Sequence, residues 1–280
     1  MDWLTSAKIP IGYGMKLFVD FLNTYFAWLF NGISHVLGGA IDFVVDVLQA
    51  VPAPLLILLI AGLAWWLHRS WRLSLLIALG LLLIVNLGYW KETTETLALV
   101  VAATAISMAV GVPVGIAAAH RPRLYAALRP VLDMMQTIPT FVYLIPTLIL
   151  FGLGVVPGLI STIIFAVPAP IRLTQLGVSS VPRQLHEAGE AFGATPRQLL
   201  WKIELPHALP TIMEGLTQTI MLSLSMVVIA ALVGADGLGK PVVRALNTVN
   251  IERGFEAGLA IVVVAIMLDR ICRRPLRRGG

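Results

Sequence analysis

Residues 187–206 read EAGEAFGATPRQLLWKIELP. The stretch is polar, carries Glu187, Glu190, Arg197, Lys202 and Glu204, and lies between long apolar segments. Its local chemistry predicts two short helices. The first starts at Ser180-Val181-Pro182 and places Leu185, Ala188, Gly189 and Phe192 on one face, with Arg183 and Glu187 paired at i, i+4. Gly193 ends it, because glycine accepts the left-handed backbone that closes a helix. Thr195 caps the second, with Pro196 at its first position and Gln198 completing a capping box, and Leu205-Pro206 terminates it. The expected shape is a compact elbow with small residues along one side, either a place for a partner to dock or a surface connection between two spans.

What surrounds the elbow is a membrane protein. Of 280 residues, 58% are hydrophobic and only 12% charged, too few to cover a soluble surface of that size. Several apolar runs reach the roughly 20 residues that a bilayer asks of a helix. The net charge of +5 is positional, because Lys and Arg gather in short loops beside apolar segments, so it does not point to nucleic acid. The single Cys272 excludes an internal disulfide. The N-terminus lacks the basic, apolar and small-residue succession of a cleaved signal.

Residues 1–50 read as an amphipathic, interfacial segment. Leu17, Phe21, Tyr25, Trp28 and Leu29 recur at helical spacing, while Asp42 and Asp46 make a span over 36–49 expensive. Seven spans are expected at about 51–67, 71–90, 95–119, 131–152, 156–174, 211–234 and 255–270. The first two, within 51–90, are peripheral to a transmembrane core over 91–272, whose elbow region is 175–210, and 273–280 is a basic tail. Pro139 and Pro146 kink or interrupt the fourth span. Gly111 and Gly115 have the spacing of a close helix contact, which ordinary packing explains. Residues 235–254 form the longest expected loop between spans.

Fourteen of the 20 basic residues fall in one alternating set of loops, at 69–72, 121–129, 172–202 and 270–278. The positive-inside rule puts that set in the cytoplasm, with the N-terminus outside and the C-terminus inside. No internal repeat is present, so a second copy of the chain would supply any symmetry around a pathway.

The middles of the expected spans lack acids, bases and histidines, which disfavours a carrier driven by an ion gradient. Residues 234–240 read GADGLGK and fit most of a phosphate-binding loop. Pro241 then stands where the Ser or Thr that reaches magnesium belongs, so a glycine turn is the better reading. The five histidines show no metal-ligand spacing and no catalytic set emerges. The chain is not expected to be an enzyme.

The elbow resembles the signature loop of ABC importer permeases, whose pattern is E-A-A, three residues, G, nine residues, I-x-L-P. Glu187-Ala188-Gly189, Gly193 and Ile203-Glu204-Leu205-Pro206 keep every spacing, with Gly189 in place of the third alanine. The resemblance implies an all-α polytopic permease subunit of the type I importer fold in a bacterial inner membrane. It implies that Glu187, Ala188, Gly189 and Gly193 set a docking surface for a separate cytoplasmic ATPase, and that Ile203, Leu205 and Pro206 anchor it to the sixth span. ATP and magnesium then belong to the ATPase and no cofactor to this chain. A binding protein outside and a permease homodimer complete the expected assembly.

A second likeness bears on the substrate. Residues 135–146, MQTIPTFVYLIP, together with 223–230 and the Gly-Leu-Gly turn at 237–239, are similar to permeases for quaternary ammonium compounds: glycine betaine, proline betaine and choline. Over 118–155 and 219–250 the wording looks most like the choline type. Gln136, Phe141 and Tyr143, beside the breaks at Pro139 and Pro146, either line the pathway or pack kinked helices. Outside, Asp236, Lys240, Arg244, Glu252 and Arg253 either meet the binding protein or are solvated. Rival readings are the same machine for another small solute such as an amino acid or an anion, a secondary carrier, and a membrane scaffold.

Overall fold

A computed structural model describes residues 11–272 as thirteen α-helices, one π turn and one 3-10 turn. The basic tail at 273–280 lies outside the described residues. Helix α1 spans Ile11–Ala50, 40 residues without a break. The surface-lying helix expected around 17–29 and the stretch 36–49, neither of them expected to span, are one continuous helix. Its seam explains the continuity. Phe30 stacks edge-on against Phe151 at 5.3 Å, Ile41 is buried with Ala98, Ala103 and Leu159, and Gln49 Nε2 donates to Thr94 Oγ1 at 3.1 Å. Asp42 and Asp46 are exposed on the other side. The helix is long and apolar enough to cross a membrane.

Helices α2 (Ala53–His68) and α3 (Trp71–Asn86) form a hairpin closed by Ser70, whose hydroxyl accepts from the Leu73 amide. Ile57, Ala64, Ile77, Leu81 and Ile84 bury its inner face in a cluster that includes Leu97, Val264 and Met267. Each helix has 16 residues, about 24 Å at 1.5 Å per residue, against a hydrocarbon core of about 30 Å.

The centre is built from α4 (Trp90–His120), the run of α7 (Val155–Ala166) into α8 (Pro168–Ser179), and α11 (Leu205–Ala230). Small residues let their backbones touch. A Cβ at Gly111 would stand 2.6 Å from Pro170 Cγ, and one at Gly115 would stand 2.6 Å from Thr174 Cβ and 2.7 Å from the Ile171 carbonyl oxygen. The glycine pair is therefore where α4 crosses α8, as packing alone predicted. Buried hydroxyls inside these helices bond back one turn, as Thr162 does to Gly158 O and Thr219 to Gly215 O, both at 2.7 Å.

The expected fourth span is two helices, α5 (Pro122–Thr137) and α6 (Thr140–Phe151), bent by 95° across Ile138-Pro139. Pro146 sits inside α6 without ending it. Residues 235–254 are not a loop throughout: they hold α12 (Gly239–Asn247) and the start of α13 (Ile251–Cys272). Among the described residues four helical runs are long and apolar enough to cross a membrane, or five if the bent pair counts as one. One of these runs is α1, so four of the seven expected spans are matched, and the other three are the short α2 and α3 and helix α13. Helix α13 is 22 residues long but carries Glu252, Arg253 and Glu256 at one end and Asp269 and Arg270 at the other.

Candidate functional site

The elbow forms as its sequence predicts at three points. Helix α9 spans Arg183–Ala191, and Gly193 follows with φ +74°. The Gly193 amide donates to Glu190 O at 2.8 Å and the Ala194 amide to Gly189 O at 3.0 Å, the double closure that glycine permits. Thr195 and Gln198 then cap each other reciprocally, with Thr195 N donating to Gln198 Oε1 at 2.8 Å, and α10 spans Pro196–Leu199. Arg183 and Glu187 stand 3.6 Å apart and both are well exposed.

Three features differ from expectation. Leu205-Pro206 does not end the second helix. Helix α10 runs through a π turn, Leu200–Glu204, directly into α11. Proline lacks an amide N–H and its ring clashes with the carbonyl four residues back, so a wider turn just before Leu205-Pro206 lets the helix continue. The elbow is thereby a rigid extension of α11 on one side. Second, Gly189 packs inward: a Cβ there would lie 2.5 Å from Leu199 Cδ2 and 2.7 Å from Ile203 Cδ1. The residue that departs from the family pattern sits where α9 meets α10 and the π turn. Third, the expected shared face divides. Gly189 turns inward while Leu185 is 43% exposed, Phe192 is 93% exposed, and Ala188 is also exposed. With Trp201, 69% exposed, they give the elbow apolar groups facing outward.

Behind the elbow lies a cluster the sequence did not reveal. Glu204, in the π turn, has a side chain only 5% exposed. His120 Nε2, on the last residue of α4, is hydrogen-bonded to Glu204 Oε2 at 2.8 Å. His186 Nε2, on α9, stands 3.8 Å from Glu204 Oε1. The histidines that look scattered along the chain thus include two that converge on one carboxylate. Nearby in the chain, Arg172 of α8 donates to Asp133 of α5 at 2.7 Å.

At the bend, Tyr143 and Phe141 part company. Tyr143 is half-buried, and its hydroxyl donates to the Met135 carbonyl oxygen across the break at 2.5 Å. Phe141 is 57% exposed, and Pro139 is also exposed, while Gln136 and Pro146 are intermediate. Thr147 and Ser161 hydroxyls, 2.7 Å apart, join α6 to α7.

At the opposite end of the core, the Leu238 amide donates to Thr96 Oγ1 at 2.8 Å and Gly154 N to Val233 O at 2.9 Å. The glycines of GADGLGK serve this packing. Gly237 has φ +122° with Thr96 Oγ1 2.6 Å from its would-be Cβ, and a Cβ at Gly239 would meet Val227 O at 2.3 Å. A cavity of about 420 Å³ opens beside this turn, lined among others by Tyr89, Glu92, Asp236, Lys240, Arg244 and Arg253.

The family model described as "Binding-protein-dependent transport system inner membrane component" matches residues 111–274. The chain is 47% identical over 264 residues to the glycine betaine transport system permease protein OpuAB of Bacillus subtilis (strain 168), covering 94% of this chain and 93% of that one. It is 40% identical over 287 residues to the glycine betaine/proline betaine transport system permease protein ProW of Escherichia coli (strain K12), covering 96% and 81%. The choline transport system permease protein OpuBD of Bacillus subtilis (strain 168) is 38% identical over 161 residues, covering 57% of this chain and 71% of that one. Among these relatives the weight falls on the betaine permeases rather than on the choline type. Among solved structures, an inward-facing MetNI methionine ABC transporter (CY5 SeMet soak crystal form) superimposes with a TM-score of 0.57 at 27% identity, covering 64% of this chain and 92% of that one. This chain belongs to the family of inner-membrane permease components of binding-protein-dependent transport systems.

Proposed function

We propose that this chain forms the translocation pathway for ATP-driven uptake of a quaternary ammonium compound, with glycine betaine the first candidate and proline betaine and choline behind it. The betaine permeases that align over most of the chain support that substrate class. In this reading the elbow faces the cytoplasm, where Arg121, Arg123, Arg172, Arg183, Arg197 and Lys202 gather. Two copies of the chain flank the pathway, two ATPase subunits hold ATP and magnesium, and a binding protein delivers substrate to the face that carries Asp236, Lys240 and Arg244.

The observation that carries the reading is the elbow itself. Glu187 and Ala188 on α9, and Phe192 at its end, are exposed; the chain turns at Gly193 into α10, which is continuous through Ile203, Leu205 and Pro206 with the long helix α11. An elbow so mounted conveys a push on α9 from a partner through α10 to the long helix α11. Gln136, Pro139, Phe141, Tyr143 and Pro146, grouped around the 95° bend, are the proposed pathway segment. A cation without hydrogen-bond donors is well met by aromatic faces such as the exposed Phe141.

The test is uptake in proteoliposomes that hold this chain and its ATPase, with ATP inside and binding protein outside. Labelled glycine betaine, choline and methionine are offered separately and in competition. ATP-dependent uptake of glycine betaine is expected. Uptake of methionine alone would move the substrate assignment to amino acids while leaving the elbow's role intact.

A further inference from the structure

We propose that the Glu204 carboxylate is the latch through which movement of α9 reaches α4, making it a positioning residue for coupled transport. The inference rests on the reading of α9 as the docking element. It starts from how α9 is held. No side chain of α9 is buried. Its inward contacts include Gly189 against Leu199 and Ile203, on the same arm, and His186 facing Glu204. Of these, the one that leads on to another helix of the core is His186, because Glu204 is also hydrogen-bonded to His120 at the end of α4.

The geometry of that junction is uneven. His120 holds one carboxylate oxygen at 2.8 Å, whereas His186 stands 3.8 Å from the other, within ion-pair range but beyond a hydrogen bond. A carboxylate removed from water needs partners, since leaving one unpaired is strongly destabilising. At 5% exposure, Glu204 has these two imidazoles within reach, and they come from two different elements. A small displacement of α9 closes or opens the longer contact while the shorter one keeps hold of α4. Glu204 also belongs to the π turn, where the Leu205 amide bonds to Leu200 O five residues back. Such turns are wider than the α-helix around them and are frequent at functional positions. The carboxylate therefore sits at the joint where the arm α9–α10 meets α11, tied sideways to α4. The signature pattern leaves this position unspecified, so no docking role is assigned to it by the resemblance.

The experiment uses the whole complex in proteoliposomes and reads ATP hydrolysed per glycine betaine taken up. For Glu204→Gln the complex stays assembled, and the ATP spent per substrate rises about tenfold, as expected for losing one charge-assisted contact in the moving state. Glu204→Asp, which keeps the charge on a shorter stem, recovers part of the coupling. His186→Gln raises the ratio alone, and the Glu204→Gln/His186→Gln pair is no worse than either single change, because one interaction is being removed. His186 is one-third exposed, so its replacement keeps the test open if Glu204→Gln fails to fold.

An unchanged ratio in Glu204→Gln or in His186→Gln overturns the latch, as does an additive double variant. Phe192→Asp, run alongside, separates this from failure of the docking reading. Uptake and ATPase co-purification lost in Phe192→Asp but a normal ratio in Glu204→Gln removes the latch alone. Intact uptake and co-purification in Phe192→Asp removes the docking role of α9 and the latch with it.

Discussion

The hydroxyl of Tyr143 reaches back eight residues to the carbonyl of Met135 and holds the two arms of a 95° bend together. Pro139 cannot donate to that end of α5, and a helix terminus in an apolar setting leaves carbonyls in need of a partner. Tyr143 supplies one. Tyr143→Phe is therefore expected to cost about 1 kcal/mol, the net worth of one such bond, read as a lower Tm of the purified protein. Transport should fall with it if the bend shapes the pathway. Unaltered stability would mean that the break is held by other contacts.

Gly193→Val forces a β-branched side chain into φ +74°, at about 1–2 kcal/mol for the left-handed backbone. Because nothing lies within 4 Å of its would-be Cβ, the cost is conformational rather than steric. Gly193→Asn, which tolerates that region, should keep uptake, while Gly193→Val inserts normally and loses it. Equal uptake by both would detach the turn from coupling.

Glu187→Lys breaks an exposed pair with Arg183, so stability should change by no more than about 0.5 kcal/mol. Recovery of the ATPase in co-purification should nonetheless drop. Unchanged recovery would place this side chain outside the interface.

Gly115→Leu drives a side chain into the Ile171 carbonyl oxygen and Thr174 where α4 crosses α8. Both neighbours are close to backbone and cannot swing aside, so a loss of about 1–3 kcal/mol is expected, seen as a reduced monodisperse yield in detergent. Gly258→Ala, with open space at its Cβ, is the control that should be harmless.

Cys272 ends α13, where burial and then the neighbouring Asp269 push its thiol above the usual range. A raised pKa means less thiolate at neutral pH, so maleimide labelling of the native protein should be slow at pH 7 and quicken as pH rises through the alkaline range. Fast labelling at pH 7 would show an open, unperturbed thiol.

The elbow was legible because its determinants are local. The closure at Gly193, the Thr195–Gln198 box and the Arg183–Glu187 pair all involve residues within five positions of one another. Pro139 likewise marked the break, though not its angle. What escaped the sequence is long-range. His120 and Glu204 are 84 positions apart, and nothing near either signals the other. Continuation through Pro206 was hidden because proline usually stops a helix, and the π turn that accommodates it has no simple signature. The division of Leu185 and Phe192 from Gly189 depends on which side of α9 meets α10, which spacing alone leaves open. In α1, Asp42 and Asp46, which made a span over 36–49 look expensive, are exposed on one side of an unbroken helix.

The α2–α3 hairpin has a consequence for the lipid around it. Beside spans of 25 and 31 residues, its two helices are shorter than an average hydrocarbon core by about 6 Å. Its closed end exposes Trp65, Trp66 and Trp71, rings that settle at the headgroup level. A hairpin anchored there is expected to thin the bilayer beside it relative to that around α4. Transport by this subunit is therefore expected to vary with the acyl-chain length of the lipid in which it is reconstituted.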